Sequence, residues 1–263
     1  MQGGLLVLTI FALLLCAAGA GMILHDRLGE RHRTSETVDH VRLVVSILVT
    51  FTALVLSLLL SEVKGTFDTF DSRLRSFAGD IGNLDLHLRE YGADAEPIRA
   101  TLRKYVAAAL ADSWRDEQAP PGDYPRFEPS NGAERQELGA LLIQVDRAIH
   151  KLDPPDHFHQ RLADSLSNQI DEALHARRQL LETSHDTISW PLMLAMCAWL
   201  GVVFGVFGLL SPRNPIVYLS ILTCAVCVSS AIFLIDDFDS PLDGIVRVSS
   251  DSLRTTLSRM DAP

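Results

Sequence analysis

Apolar and polar positions fall in blocks along this chain, and four blocks are long and apolar enough to cross a bilayer. They cover residues 5–24, 43–60, 190–210 and 216–235, each near the ~20 residues that a helix needs to span a hydrocarbon core. After the second block charges enter, but the apolar positions continue at Val63, Phe67, Phe70, Leu74, Phe77, Ile81, Leu84, Leu88 and Tyr91. Their alternating steps of four and three are a heptad seam, which keeps an apolar stripe on one side of a helix. No proline lies between positions 42 and 91. The pattern therefore predicts one rod of about 75 Å, rising 1.5 Å per residue, that starts in the membrane and continues outside it.

The remaining blocks are shorter. Gly92 is placed to end the rod, with Asp94 as the N-cap and Pro97 in the first turn of the next helix. Ile98, Leu102, Tyr105, Ala109 and Trp114 make that helix's inward stripe. Residues 119–132 hold Pro120, Pro121, Pro125 and Pro129 and read as a loop. A third polar-block helix is expected over 134–151, with Leu138, Leu141, Leu142, Val145 and Ile149 on one face. A fourth begins after Asp156 and leads toward the third apolar block, where Pro191 predicts a kink or a short break. The turn Ser211-Pro212-Arg213-Asn214-Pro215 joins the last two spans, and a short amphipathic helix is expected over 250–260. The first block is preceded by no Lys or Arg and exceeds a secretory h-region, so a retained span is expected.

The predicted fold is thus an all-α membrane protein. Four transmembrane helices carry a helical-bundle insertion between spans 2 and 3. The expected divisions are 1–60 for the first two spans and their loop, 61–189 for the soluble insertion, 190–235 for the last two spans, and 236–263 for an acidic turn and tail helix.

Charge refines this picture. The formal net charge is −10. Residues 61–189 hold 15 Lys and Arg against 23 Asp and Glu, whereas the loop after the first span is balanced by Arg27, Arg31, Arg33 and Arg42. An acidic surface lacks the basic footprint of a nucleic-acid binder. Arginine is dense in the short loops, including Arg213, and the positive-inside rule puts those loops in the cytoplasm. The insertion and both termini are then expected outside it. Cys16, Cys197, Cys224 and Cys227 all lie in apolar blocks, so no disulfide framework is expected.

Several stretches resemble the bestrophin-like domain family of bacterial multi-pass membrane proteins. They are Leu28-Gly29-Glu30-Arg31-His32-Arg33-Thr34-Ser35-Glu36-Thr37, the apolar run 44–60, Lys64, Phe67-Asp68, Leu84-Asp85 and Tyr91-Gly92-Ala93-Asp94-Ala95. Arg99, Leu102 and Arg103 follow, then Phe233 to Pro241, Gly244-Ile245, Val248-Ser249-Ser250 and Leu253-Arg254. Family members often carry an apolar aromatic after the tail proline, where this chain has Leu242. The resemblance implies a helical membrane protein distantly related to bestrophin anion channels.

Candidate chemistry is sparse. No nucleophile–base pair, phosphate loop or H-E-x-x-H occurs, so neither an enzyme nor a cofactor is expected. Gly201, Gly205 and Gly208 form a small-residue face on the third span, the pattern that lets helices approach closely in lipid. Ser46, Thr50, Ala53 and Ser57 form another on the second span, and Ser220, Cys224, Cys227 and Ala231 on the fourth. These stripes line a pore only where subunits assemble around them. Asp236, Asp237, Asp239 and Asp243 form an acidic cluster that departs from an EF-hand loop, since Pro241 takes a ligand position and no Glu closes it. It reads first as an acidic turn and second as a cation site. The seam residues Phe67, Phe70, Leu74, Phe77, Ile81 and Leu84 are the expected core of the stalk. The function expected on these residues alone is a structural or interaction membrane protein, with the lipid bilayer and a second copy as partners. The alternative is an oligomeric ion channel related to bestrophins.

Overall fold

The computed structural model describes residues 2–27, 35–126, 133–183, 190–212, 214–242 and 244–261. Among them the chain is all helical, with no strand. The helices are α1 (Gln2–Arg27), α2 (Ser35–Tyr91), α3 (Glu96–Ser113), α4 (Ala133–Ile149), α5 (His157–Thr183), α6 (Trp190–Leu210), α7 (Pro215–Asp239) and α8 (Asp251–Met260). Helices α1, α2, α6 and α7 are long and apolar enough to cross a membrane. The chain divides into two compact units, residues 1–67 with 186–246 and residues 68–185 with 247–263.

Helix α2 runs unbroken for 57 residues and starts earlier than its apolar pattern indicates, at Ser35. It ends at Gly92, whose φ of 101° is the left-handed conformation that only glycine adopts without strain. Asp94 is not the N-cap of α3. It lies in a one-turn 3₁₀ helix, Ala93–Ala95, and the cap position falls to Ala95, with Pro97 in the first turn as expected. The 3₁₀ turn supplies Ala95 N–H to Gly92 O at 3.0 Å, so the backbone satisfies itself and no side chain is required. Helix α5 is described to Thr183 and α6 from Trp190. Pro191 stands as the second residue of α6, where its missing N–H costs nothing, and the link between the two helices lies outside the described residues.

In the first unit α1, α6 and α7 pack around Leu14, Ala18, Met196, Phe204, Ala225 and Ile232, all buried. The α1–α6 contact is close because both helices present glycine. A Cβ on Gly208 would lie inside the Ala18 carbonyl, and one on Gly21 inside the carbonyl of Gly205. In lipid, where tails are as apolar as leucine, this close backbone approach replaces the hydrophobic drive available in water. Asn214 caps α7 by accepting from the Ile216 N–H at 3.2 Å, and Pro215 takes the first helical position.

In the second unit the outer part of α2 buries Phe70, Leu74, Phe77, Ile81, Leu84, Leu88 and Tyr91. Complete burial of each such side chain contributes about 1.5–3 kcal/mol. Helix α5 lies against this stripe. His87 and Gln169 meet at 2.6 Å, and the Tyr91 and His159 rings stand edge to face at 5.2 Å. Asp156 starts α5 by accepting from the Phe158 and His159 N–H groups, both at 2.9 Å. Helix α8 fills the remaining side with Leu253, Leu257 and Met260.

Candidate functional site

In the first unit α2 has two unlike faces. Val45, Thr52, Leu59 and Val63 turn inward, and Phe51 meets Trp199 edge to face at 5.3 Å. Ser46, Thr50, Ala53 and Ser57 are all exposed. The Ser46 hydroxyl donates to Arg42 O at 2.9 Å and Thr50 donates to Ser46 O at 2.8 Å. These side chains therefore cost little in an apolar medium, yet they present oxygen lone pairs to whatever faces them. On α7, Ser220, Cys224 and Cys227 are exposed and Ala231 is half-buried.

The small-residue face of α6 is used unevenly. Gly208 and Gly205 sit against Ala18 and Ala17 of α1, whereas a side chain at Gly201 would meet nothing within 4 Å. Gly21, the partner that makes the contact reciprocal, was not singled out from the sequence. Its signal is the small-residue run from Ala17 to Gly21, which on its own carries no indication of the helix it meets.

The acidic cluster resolves into one organising carboxylate. Asp237 is 7% exposed and accepts from the N–H groups of Ile245 at 2.7 Å and Val246 at 2.8 Å. Bonds from N–H donors to a charged acceptor contribute about 1.5–3 kcal/mol each. Only glycine fits at position 244, since a Cβ there would lie 2.8 Å from Asp237 O and 2.9 Å from its Oδ1. Asp236 and Asp239 are half-buried beside it, and Asp243 lies outside the described residues. Among the described residues, no group of three His, Cys, Asp or Glu side chains is placed to hold a metal ion. The next aromatic, Phe238, meets Phe67 edge to face at 5.2 Å, and the Lys64 ammonium stands 5.6 and 5.7 Å from the two ring centres. Phe67 is thus half-buried against α7, and its place in the seam differs from that of Phe70 and Phe77.

In the second unit, charged pairs hold the tail. Asp85 and Arg99 stand seven residues on either side of Gly92, so a helical hairpin brings them to one level. Arg99 donates to both Asp85 oxygens, at 2.9 and 3.3 Å, to Glu96 at 3.0 Å and to the carbonyl of Met260 at 3.5 Å. The hydrogen bond to Asp85 holds the guanidinium proton more tightly than usual, against the opposing effect of burial. Arg103 pairs with Asp261. Arg254 and Ser250 both donate to Glu117, at 3.0 and 2.5 Å. The buried Trp114 indole donates to Val248 O at 2.9 Å, and Thr256 donates to Ala78 O at 3.0 Å. Residues far apart in the chain, among them Asp85, Arg99, Arg103 and Arg254 that carried the resemblance above, therefore form one docking surface for the tail.

The bestrophin-like domain model matches residues 11–253 of the chain. Comparison with curated proteins finds no match. Among solved structures, a variant of a bacterial bestrophin homologue from Klebsiella pneumoniae is similar, with TM-score 0.53 at 12% identity over 97% of each chain. A second variant of that homologue gives TM-score 0.50 at 12% identity over 97% of this chain and 99% of the other. A structure described as a membrane protein gives 0.51 at 11% identity over 96% and 97%. These likenesses extend to the fold.

Proposed function

Because the chain belongs to the bestrophin-like domain family, we propose that it is an ion channel assembled from several copies of itself in the bilayer. The family match over most of the chain carries this reading, and it supports a channel over the structural or interaction role expected from the residues alone. The exposed hydroxyl face of α2 supplies the lining. Ser46, Thr50, Ala53 and Ser57 carry no charge and lie outside the packed interior of the unit; the three hydroxyls offer ion-compatible oxygens once copies close around them, and Ala53 keeps the face narrow. Purified protein in planar bilayers is expected to conduct. Thr50→Trp narrows the lining without touching the unit's core, so single-channel current should fall several-fold. Silence of the wild-type protein at both voltage polarities would remove the channel reading.

In the same reading residues 61–189 are the soluble insertion between the second and third spans, and they lie outside the cytoplasm with both termini. Dense arginine in the short loops supports that orientation. With Cys16, Cys197, Cys224 and Cys227 replaced, a cysteine at exposed Lys151 is expected to react with a membrane-impermeant maleimide on intact cells. Reaction only after lysis would reverse the orientation and leave the channel reading intact.

A further inference from the structure

We propose that residues 244–246 form a membrane-surface foot, in which Asp237 and Gly244 hold Ile245 and Val246 out so that their side chains enter the boundary between headgroups and acyl chains. The turn belongs to the first unit and folds back on the span it leaves. Asp237 is pinned to the backbone of Ile245 and Val246, so those residues stand beside the last turns of α7. The apolar run of the fourth span ends at Ile235, and Asp237 lies only about 3 Å beyond it along the helix axis. Ile245 is 81% exposed and Val246 39%, two adjacent β-branched apolar residues left uncovered. Leu234, three residues before Asp237 on α7, is also exposed. The apolar medium nearest to both side chains is therefore the bilayer that the span already occupies.

The local chemistry says why the turn is built this way. Two N–H groups left unpaired at the membrane surface would resist entry into an apolar layer, because an unsatisfied donor there costs several kcal/mol. The Asp237 carboxylate satisfies both, which lets the side chains approach lipid without exposing bare backbone. A further bond from Gly244 N–H to Ser240 O at 3.2 Å closes the turn. Asp236 and Asp239 flank the site, so attraction to anionic headgroups plays no part. The contact rests on apolar burial and is insensitive to salt.

The test uses the full chain without its native cysteines, carrying Ile245→Cys with a nitroxide label, in nanodiscs of phosphatidylethanolamine and phosphatidylglycerol. Collisions with oxygen, which concentrates in the bilayer, are compared with collisions with a water-soluble nickel chelate. The oxygen-to-nickel ratio at 245 is expected to exceed severalfold that of a label at Lys151, and to hold from low to high salt. Adding Asp237→Ala should bring the ratio down to the Lys151 value. A ratio at 245 equal to that at Lys151 overturns the proposal. So does a label shielded from both reagents and dipolar-coupled to a neighbouring label, which would mean that a second copy covers the turn. The labelled protein with Asp237 intact decides the matter even where the alanine variant fails to fold.

Discussion

Gly208→Leu should leave no stable membrane unit. A Cβ at this position would overlap the Ala18 carbonyl of α1, and the colliding group is backbone, so neither helix relieves it by a rotamer change. Overpacking a tight core costs typically about 1–3 kcal/mol. A clash with backbone on both sides of a reciprocal glycine contact belongs at or above the top of that range. Gly21→Leu should act alike, since its side chain would meet Gly205. Gly201→Leu is the control, because that position opens on empty space. In detergent, the first two variants are expected to run as aggregate or to lose the thermal transition, and the third to match wild type. A Gly208→Leu protein with unchanged elution and melting would show that α1 and α6 do not meet as described.

The glycines Gly201, Gly205 and Gly208 also mark how far the sequence could be read. The stripe on the third span was legible because spacing alone places its members on one face. Which of them touches anything depends on the partner's surface, and a helix pattern carries no register for its neighbour. The long helix α2 and the heptad positions of its outer part were legible for the opposite reason: apolar periodicity over nine positions describes one element. Asp94 misled because an N-cap preference competes with a self-satisfied 3₁₀ turn of the same length. The acidic cluster at 236–243 was visible as charge, but the two N–H donors that occupy Asp237 lie eight and nine residues away in an irregular turn, where no periodicity points to them. Asp85 and Arg99 were visible only as part of a resemblance. Their equal distance from Gly92 becomes informative once the hairpin is known.

Removing either member of that pair is expected to be the most damaging polar change in the second unit. The Asp85 and Arg99 side chains are only 8% and 13% exposed. Asp85→Ala leaves a buried guanidinium without its bidentate partner, and Arg99→Ala leaves a buried carboxylate and an orphaned Met260 carbonyl. Breaking such a pair from one side costs about 3–5 kcal/mol. Asp85→Ala combined with Arg99→Ala, which removes both charges, should cost clearly less than the sum of the single changes. Thermal unfolding of the four proteins, with Trp190 and Trp199 replaced by Phe so that only Trp114 fluoresces, checks this. The indole is buried and bonded to Val248, so its emission should shift to the red as the tail lets go. Additive single and double losses would mean that the two groups do not work as a pair.

The docked tail also sets an order of events during synthesis. Residues 68–185 leave the ribosome well before 247–261, and the fourth span comes between them. Until that span has been inserted, the surface awaiting Val248, Leu253, Leu257 and Met260 stays uncovered, and Arg99 lacks its carbonyl acceptor. Completion of the bundle is therefore a long-range closure, which is slow and leaves apolar surface open to aggregation in the interval. A stall or truncation after the fourth span would release a chain with every transmembrane helix in place and an unfinished helical domain, a species that quality-control proteases can recognise by its exposed groove.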